Sequence, residues 1–181
     1  MYIFKNKKSI TITYVVLYVI LSLNFRNINN YYFSKLHEYE IVGSKLPILK
    51  IEDIEGKVKN VNNCNKILII DLWSNSCGYC IEAFPEFQKV YNYYKNDKEV
   101  EVFSVNVDDS KPNRMMGHKL VKKYGFKNFF ASKEILKQLK FNTFPHYMIV
   151  SKDGKIKYFG SLNTSRVETY NNIYDLVQNE K

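Results

Sequence analysis

Cysteine is scarce in this 181-residue chain: there are three, at positions 64, 77 and 80. Three cannot build the multi-bridge framework that holds small secreted domains together, so the fold needs an ordinary apolar core. With 45% hydrophobic and 25% charged residues, the composition provides one. Only seven glycines and four prolines are present, and no low-complexity tract or internal repeat interrupts the chain. A single Cys-x-x-Cys, with no second pair and no clustered histidines, falls short of the four ligands of a structural zinc site, and no metal is expected. The net charge is +9, yet the positive residues are scattered and no nucleic-acid motif accompanies them. They read as a solvated basic surface, and no nucleic-acid partner is expected.

What is present begins at the N-terminus. Lys5, Lys7 and Lys8 precede an uncharged run from Ile10 to Leu23. A basic region followed by such a run is the pattern of a secretory signal. No small-residue cleavage site follows, so residues 1–26 are expected to be a signal anchor or transmembrane segment. Secretion after signal cleavage is the alternative. The lysines place the N-terminus in the cytoplasm and the rest outside, in a bacterial periplasm or cell envelope. Residues 27–45 read as a linker and 46–181 as the folded domain.

Within that domain, 46–53 and 56–61 alternate as two short strands, and Ile67 to Trp73 is a nearly continuous apolar run suited to a buried central strand. Ile81, Phe84, Phe87, Tyr91 and Tyr94 recur at helical spacing, with Pro85 expected to kink the helix. A strand over 100–107, helices over 114–124 and 132–139 separated by residues 125–128, a hairpin over 145–159 and a closing helix over 166–178 complete the reading. The order predicts an α/β fold, with a mixed central sheet flanked by helices.

The chemistry lies in Trp73-Ser-Asn-Ser-Cys77-Gly-Tyr-Cys80. Disulfide exchange needs a thiolate that attacks and a second thiol that resolves the mixed disulfide. A strand ending at Trp73 and a helix starting near Cys77 put Cys77 at the helix N-terminus, where free N–H groups favour the anion. Cys80 lies one turn further along. Cys77 is therefore the expected nucleophile and Cys80 the resolving thiol, both catalytic, with the Cys77–Cys80 disulfide as the redox element and no other cofactor.

The stretch ILIIDLWSNSCGYC resembles the active-site strand and helix start of thioredoxin. Asp71, six residues before Cys77, matches thioredoxin's buried aspartate, Trp73 its tryptophan and Pro85 its helix proline. Thr143-Phe144-Pro145 matches the cis-proline loop, and Val105-Asn-Val-Asp108 the strand end after the active-site helix. The added N-terminal hairpin, the anchor and the helical insertion from Asp109 to Leu139 resemble the membrane-tethered TlpA/ResA group.

The resemblance implies a thioredoxin-like fold and a thiol–disulfide oxidoreductase, acting as a reductase on extracytoplasmic protein substrates and fed by an upstream thiol electron donor. It implies that Asp71 acts through water as the proton acceptor for Cys80. It also implies that Pro145 is cis, and that Trp73, Phe144 and Pro145 face the substrate. Two departures stand out. Ala83 occupies the place where the group carries a glutamate, with Glu82 one residue early, and Gly78-Tyr79 resembles the dipeptide of periplasmic isomerases. A non-catalytic binding module or metal chaperone on the same fold is the alternative function. Cys64 is read as a packed or incidental residue. His146, beside Pro145, is a strand residue that could tune the thiolate by charge.

Overall fold

The computed structural model describes residues 40–62, 65–108, 110–160 and 166–181, a stretch over 13–20, and single positions at 22, 25 and 29. The chain divides into two units, Met1–Leu36 and His37–Lys181. In the first, residues 13–20 are helical and their apolar side chains are exposed. Among the described residues no helix is long and apolar enough to cross a membrane. Apart from positions 22 and 25, the remainder of the expected anchor lies outside the described residues, as do Cys64 and His37.

The second unit is built on a seven-stranded sheet whose strands lie in the order Val58–Val61 (β2), Leu49–Glu52 (β1), Asn128–Phe130 (β5), Val100–Asn106 (β4), Ile67–Trp73 (β3), His146–Val150 (β6) and Ile156–Gly160 (β7). Its centre is β3 (Ile67–Trp73), buried at every position. A strand covered on both faces has no solvent side to present, which is why this segment is apolar at every position but Asp71. Parallel to it runs β4 (Val100–Asn106), with Asp71 opposite Ser104. Antiparallel on the other side is β6 (His146–Val150), with Asp71 opposite Tyr147. A hairpin turn with Gly154 at φ +81° leads from β6 into β7 (Ile156–Gly160). That dihedral lies in the left-handed region that glycine enters without a Cβ penalty.

The N-terminal hairpin joins β1 (Leu49–Glu52) to β2 (Val58–Val61), with Leu49 opposite Val61. The domain's packing reaches ahead of Leu46: Ile41 is in the core, and Gly43 and Leu46 donate backbone hydrogen bonds to Ile156 and Gly154.

Helix α1 (Gly78–Tyr94) runs on through Pro85 and buries Cys80, Ala83, Phe84, Phe87, Val90 and Tyr94. Burial of Phe84, Phe87 and Val90 contributes about 1.5–3 kcal/mol each. With α4 (Arg166–Asn179), α1 covers the sheet face formed by Ile67, Ile69, Trp73, Tyr147 and Ile149. The opposite face, with Leu68, Ile70, Leu72, Phe103 and Met148, packs against Ile135, Leu139 and Phe141.

The thioredoxin-like mixed sheet agrees with the sequence reading. The insertion differs in detail. Helix α2 spans Lys111–Val121, starting earlier than expected because Pro112 sits in its first turn, where a missing N–H costs nothing. A 3-10 turn over Lys122–Tyr124 follows, and α3 is only Glu134–Gln138. Between them lies a strand the pattern did not reveal, β5 (Asn128–Phe130). It pairs in parallel with β4 and meets β1 at Glu52 opposite Phe130, joining the hairpin to the central sheet. Three residues are too few to show alternation, and the strand exists because it has neighbours on both edges.

Candidate active site

The C-terminal end of β3 delivers the chain into a turn, Ser74 to Cys77, closed by the Cys77 N–H donating to the Ser74 carbonyl at 3.1 Å. Cys77 is the N-cap of α1, with extended backbone dihedrals of φ −88° and ψ 94°. Its sulfur accepts the Cys80 backbone N–H at 3.1 Å, so one of the helix's unpaired donors points at Sγ. No acidic residue occupies the first turn to oppose that positive end. Cys77 and Cys80 form a disulfide with their Cα atoms 5.3 Å apart. Cys77 is half-buried, whereas Cys80 is buried, the arrangement required of an attacking and a resolving sulfur.

An open cleft of about 500 Å³ lies over Cys77, lined by Ser74, Ser76, Cys77, Gly78, Tyr79, Glu82 and Phe144. Tyr79 is 77% exposed. The Phe144–Pro145 bond is cis, as expected, and Phe144 forms one wall of the cleft. Trp73 does not. It is wholly buried, with its ring 5.0 Å from that of Phe84 in an edge-to-face contact beneath the site. Its side chain leaves β3 toward α1, and the helix covers it. Glu82 lines the cleft, while Ala83, at the position of the group's glutamate, is buried.

Asp71 sits in the middle of β3, 1% exposed, on the face that α1 covers. Neither carboxyl oxygen has a hydrogen-bond partner. Burial alone pushes its pKa up to about 8, because nothing nearby compensates the lost hydration of the anion. The group therefore titrates just above neutral pH, with an ionised fraction present at pH 7.

His146 faces the other way. Its ring lies 4.9 Å from both Phe141 and Phe159 on the opposite side of the sheet, and Nδ1 is 2.8 Å from the Thr143 carbonyl. The sheet separates it from the cysteines, so the geometry does not support tuning of the thiolate by its charge. His118 lies in the last turn of α2.

Asn128, on the strand the pattern missed, is a further residue of the site. Its Oδ1 accepts the Trp73 indole N–H at 3.0 Å and the Ser104 hydroxyl at 2.7 Å, while its Nδ2 has no partner. Two donors on one atom fix that atom as the oxygen. Ser104 is the neighbour of both Asp71 and Asn128 across the parallel ladders, so a polar strip crosses the sheet beneath the cysteine helix.

The fold and this site define a thiol–disulfide oxidoreductase of the thioredoxin-like class. Residues 41–174 match the Redoxin family model, and the chain belongs to that family. Among curated proteins it is similar to sporulation thiol-disulfide oxidoreductase A of Bacillus subtilis, with 26% identity over 61% of this chain and 68% of the relative. Among solved structures it resembles the thioredoxin domain of a thiol-disulfide oxidoreductase from Bacteroides vulgatus, at 24% identity and a TM-score of 0.63, covering 75% of this chain and 97% of that one. A thiol:disulfide interchange protein from Bacteroides sp. superposes with a TM-score of 0.61 at 23% identity, over 76% and 90% of the two chains.

Proposed function

We propose that this oxidoreductase is of the TlpA type and reduces disulfides of proteins outside the cytoplasm while tethered through its N-terminal segment. The observation that carries the direction of electron flow is the buried, unpartnered Asp71 on the face covered by the cysteine helix. A reductase must ionise its resolving thiol during turnover, and a carboxyl poised near neutral pH is matched to that proton.

The cycle starts from the dithiol. The Cys77 thiolate attacks one sulfur of the client disulfide; that S–S bond breaks, a mixed disulfide forms, and the departing client thiolate takes a proton. Cys80 then loses its proton through water toward the Asp71 carboxylate and attacks the Cys77 sulfur. The second client thiolate leaves and is protonated. Two electrons pass to the client, which gains two thiols, and the enzyme retains the Cys77–Cys80 disulfide. An upstream thiol donor restores the dithiol by the same exchange in reverse.

Phe144 and Pro145 form the face against which the client's extended backbone lies, with Tyr79 at the rim. The tether rests on Lys5, Lys7 and Lys8 ahead of the apolar run. Reduction of insulin by the full-length chain, compared with Cys77→Ser, tests the activity; cysteine-independent or absent turnover would overturn it. A measured reduction potential well above that of a glutathione pool would reverse the assigned direction. Protease accessibility of the domain in intact cells, with carbonate extraction of membranes, tests the tether.

A further inference from the structure

Helix α2 carries a glycine in its interior, within Met115-Met116-Gly117-His118. Glycine there costs about 1 kcal/mol relative to alanine, and its backbone is helical, so no turn requires it. The reason is space. A Cβ at position 117 would lie 2.7 Å from Nδ2 of Asn106, 3.0 Å from Oδ1 of Asn75 and 3.3 Å from the Phe130 ring.

Asn75 is the second residue of the turn that delivers Cys77. Its backbone N–H donates to Oδ2 of Asp108 at 2.7 Å, and its side-chain amide donates to the Asn113 carbonyl at 2.9 Å. Its Oδ1 accepts from Nδ2 of Asn106 at 2.8 Å. Asn106 is fully buried at the end of β4, and its own Oδ1 accepts the Asp108 N–H at 2.8 Å. One residue of the redox turn is thus tied to the end of β4, to the loop beyond it and to α2. The turn's own closure is the one backbone bond from Cys77 to Ser74.

We propose that Asn75 is a positioning residue, braced by Asn106, Asp108 and Asn113, and that Gly117 exists to let α2 close the brace. It holds Cys77 at the N-cap of α1, where Sγ meets the Cys80 N–H. The inference rests on the redox role of Cys77 proposed above and deepens it. Stabilisation of an anion by a helix N-terminus falls off within the first turn. Small movements of the turn therefore reach the reactivity of the sulfur without any change to the cysteines.

The test is the pH dependence of iodoacetamide alkylation at Cys77, followed by peptide mass in the reduced full-length chain. No client is needed, so its outcome is separate from that of insulin reduction. Asn75→Ala and Gly117→Ala are each expected to move the inflection upward by about one pH unit, toward the free-thiol value near 8.5. Alkylation at pH 7 slows roughly twofold, since higher nucleophilicity partly offsets the smaller thiolate fraction. The double variant should move it no further than either single change, because both act through the same contact. Val121→Ala, one turn along α2 and buried away from Asn75, should lower the thermal midpoint and leave the inflection in place. An unmoved inflection in Asn75→Ala would overturn the proposal, as would an equal shift in Val121→Ala or additive shifts in the double variant. If Gly117→Ala fails to fold, Asn75→Ala against Val121→Ala decides the matter.

Discussion

The two faces of β3 are equally buried and chemically unlike. Leu68, Ile70 and Leu72 enter an apolar layer with Phe103, Val105 and Met148, where His146 is the buried polar side chain. The other face interleaves Ile67, Ile69 and Trp73 with Asp71, and its neighbour β4 places Ser104 and Asn106 on the same side. Burying a polar group is costly unless it is partnered. Ser104 and Asn106 are partnered, whereas Asp71 is not, so the one costly carboxyl of this face lies beneath the helix that begins at Cys77. The location of the chemistry can thus be read from the sheet without reference to the cysteines.

The comparison breaks most visibly on the hydrocarbon face. Ile70→Ala should lose about 2–5 kcal/mol, the usual cost of a buried large-to-small change. Urea denaturation measures it, and the pH profile of Cys77 alkylation should stay as it was. A shifted profile would mean that the faces are not independent.

On the other face, removing the carboxyl should do the opposite at high pH. Asp71 has a folded pKa of about 8 against 3.8 for the ordinary group. The folded state therefore binds more protons than the unfolded one between these values. Stability is fully held below about pH 4 and declines as pH rises through about 8. Asp71→Asn should abolish that decline and be the more stable protein at pH 8.5, on the order of a few kcal/mol, with the gap narrowing toward pH 4. Thermal midpoints across this range are the measurement, and parallel curves for the two proteins would sink the assignment. The same variant should slow release of the mixed disulfide near neutral pH.

A smaller effect follows from the polar strip. Asn128→Ala leaves the Trp73 indole N–H without its acceptor and the Ser104 hydroxyl with only the Lys127 carbonyl at 3.4 Å, which costs about 1–3 kcal/mol. Asn128→Asp, which keeps an acceptor oxygen, should recover part of the loss at low pH. Equal losses in both variants would show that the acceptor is not what matters.

Much of this was legible in the sequence because it is local. Cys77, Cys80 and Asp71 stand at short, fixed spacings on one strand and one helix, and apolar runs reveal which segments are buried. The polar strip and the brace are not local. Asn75 meets its side-chain partners 31 and 38 residues away, and Trp73 meets Asn128 at a separation of 55. Hydrophobic periodicity carries no information about such pairs. β5 was missed for the same reason, since its identity lies in the strands beside it. One signal was available: an interior helical glycine with no conformational need marks a close approach. Gly117 pointed at a neighbour without saying which.

His146 provides the sharpest and smallest test of the division between faces. It neighbours Pro145, and in sequence it stands where a charge could reach the thiolate. In space it is held between Phe141 and Phe159 on the hydrocarbon side. His146→Phe preserves an aromatic ring between those two and removes the contact of Nδ1 with the Thr143 carbonyl. The loss of that bond should cost about 1 kcal/mol, read from urea denaturation at neutral pH. The inflection of Cys77 alkylation should not move, because His146 lies on the sheet face opposite the one that the cysteine helix covers. A shift of that inflection in His146→Phe, with the stability loss no larger than expected, would place His146 in the redox site after all. It would also end the separation of one chemical face from one structural face.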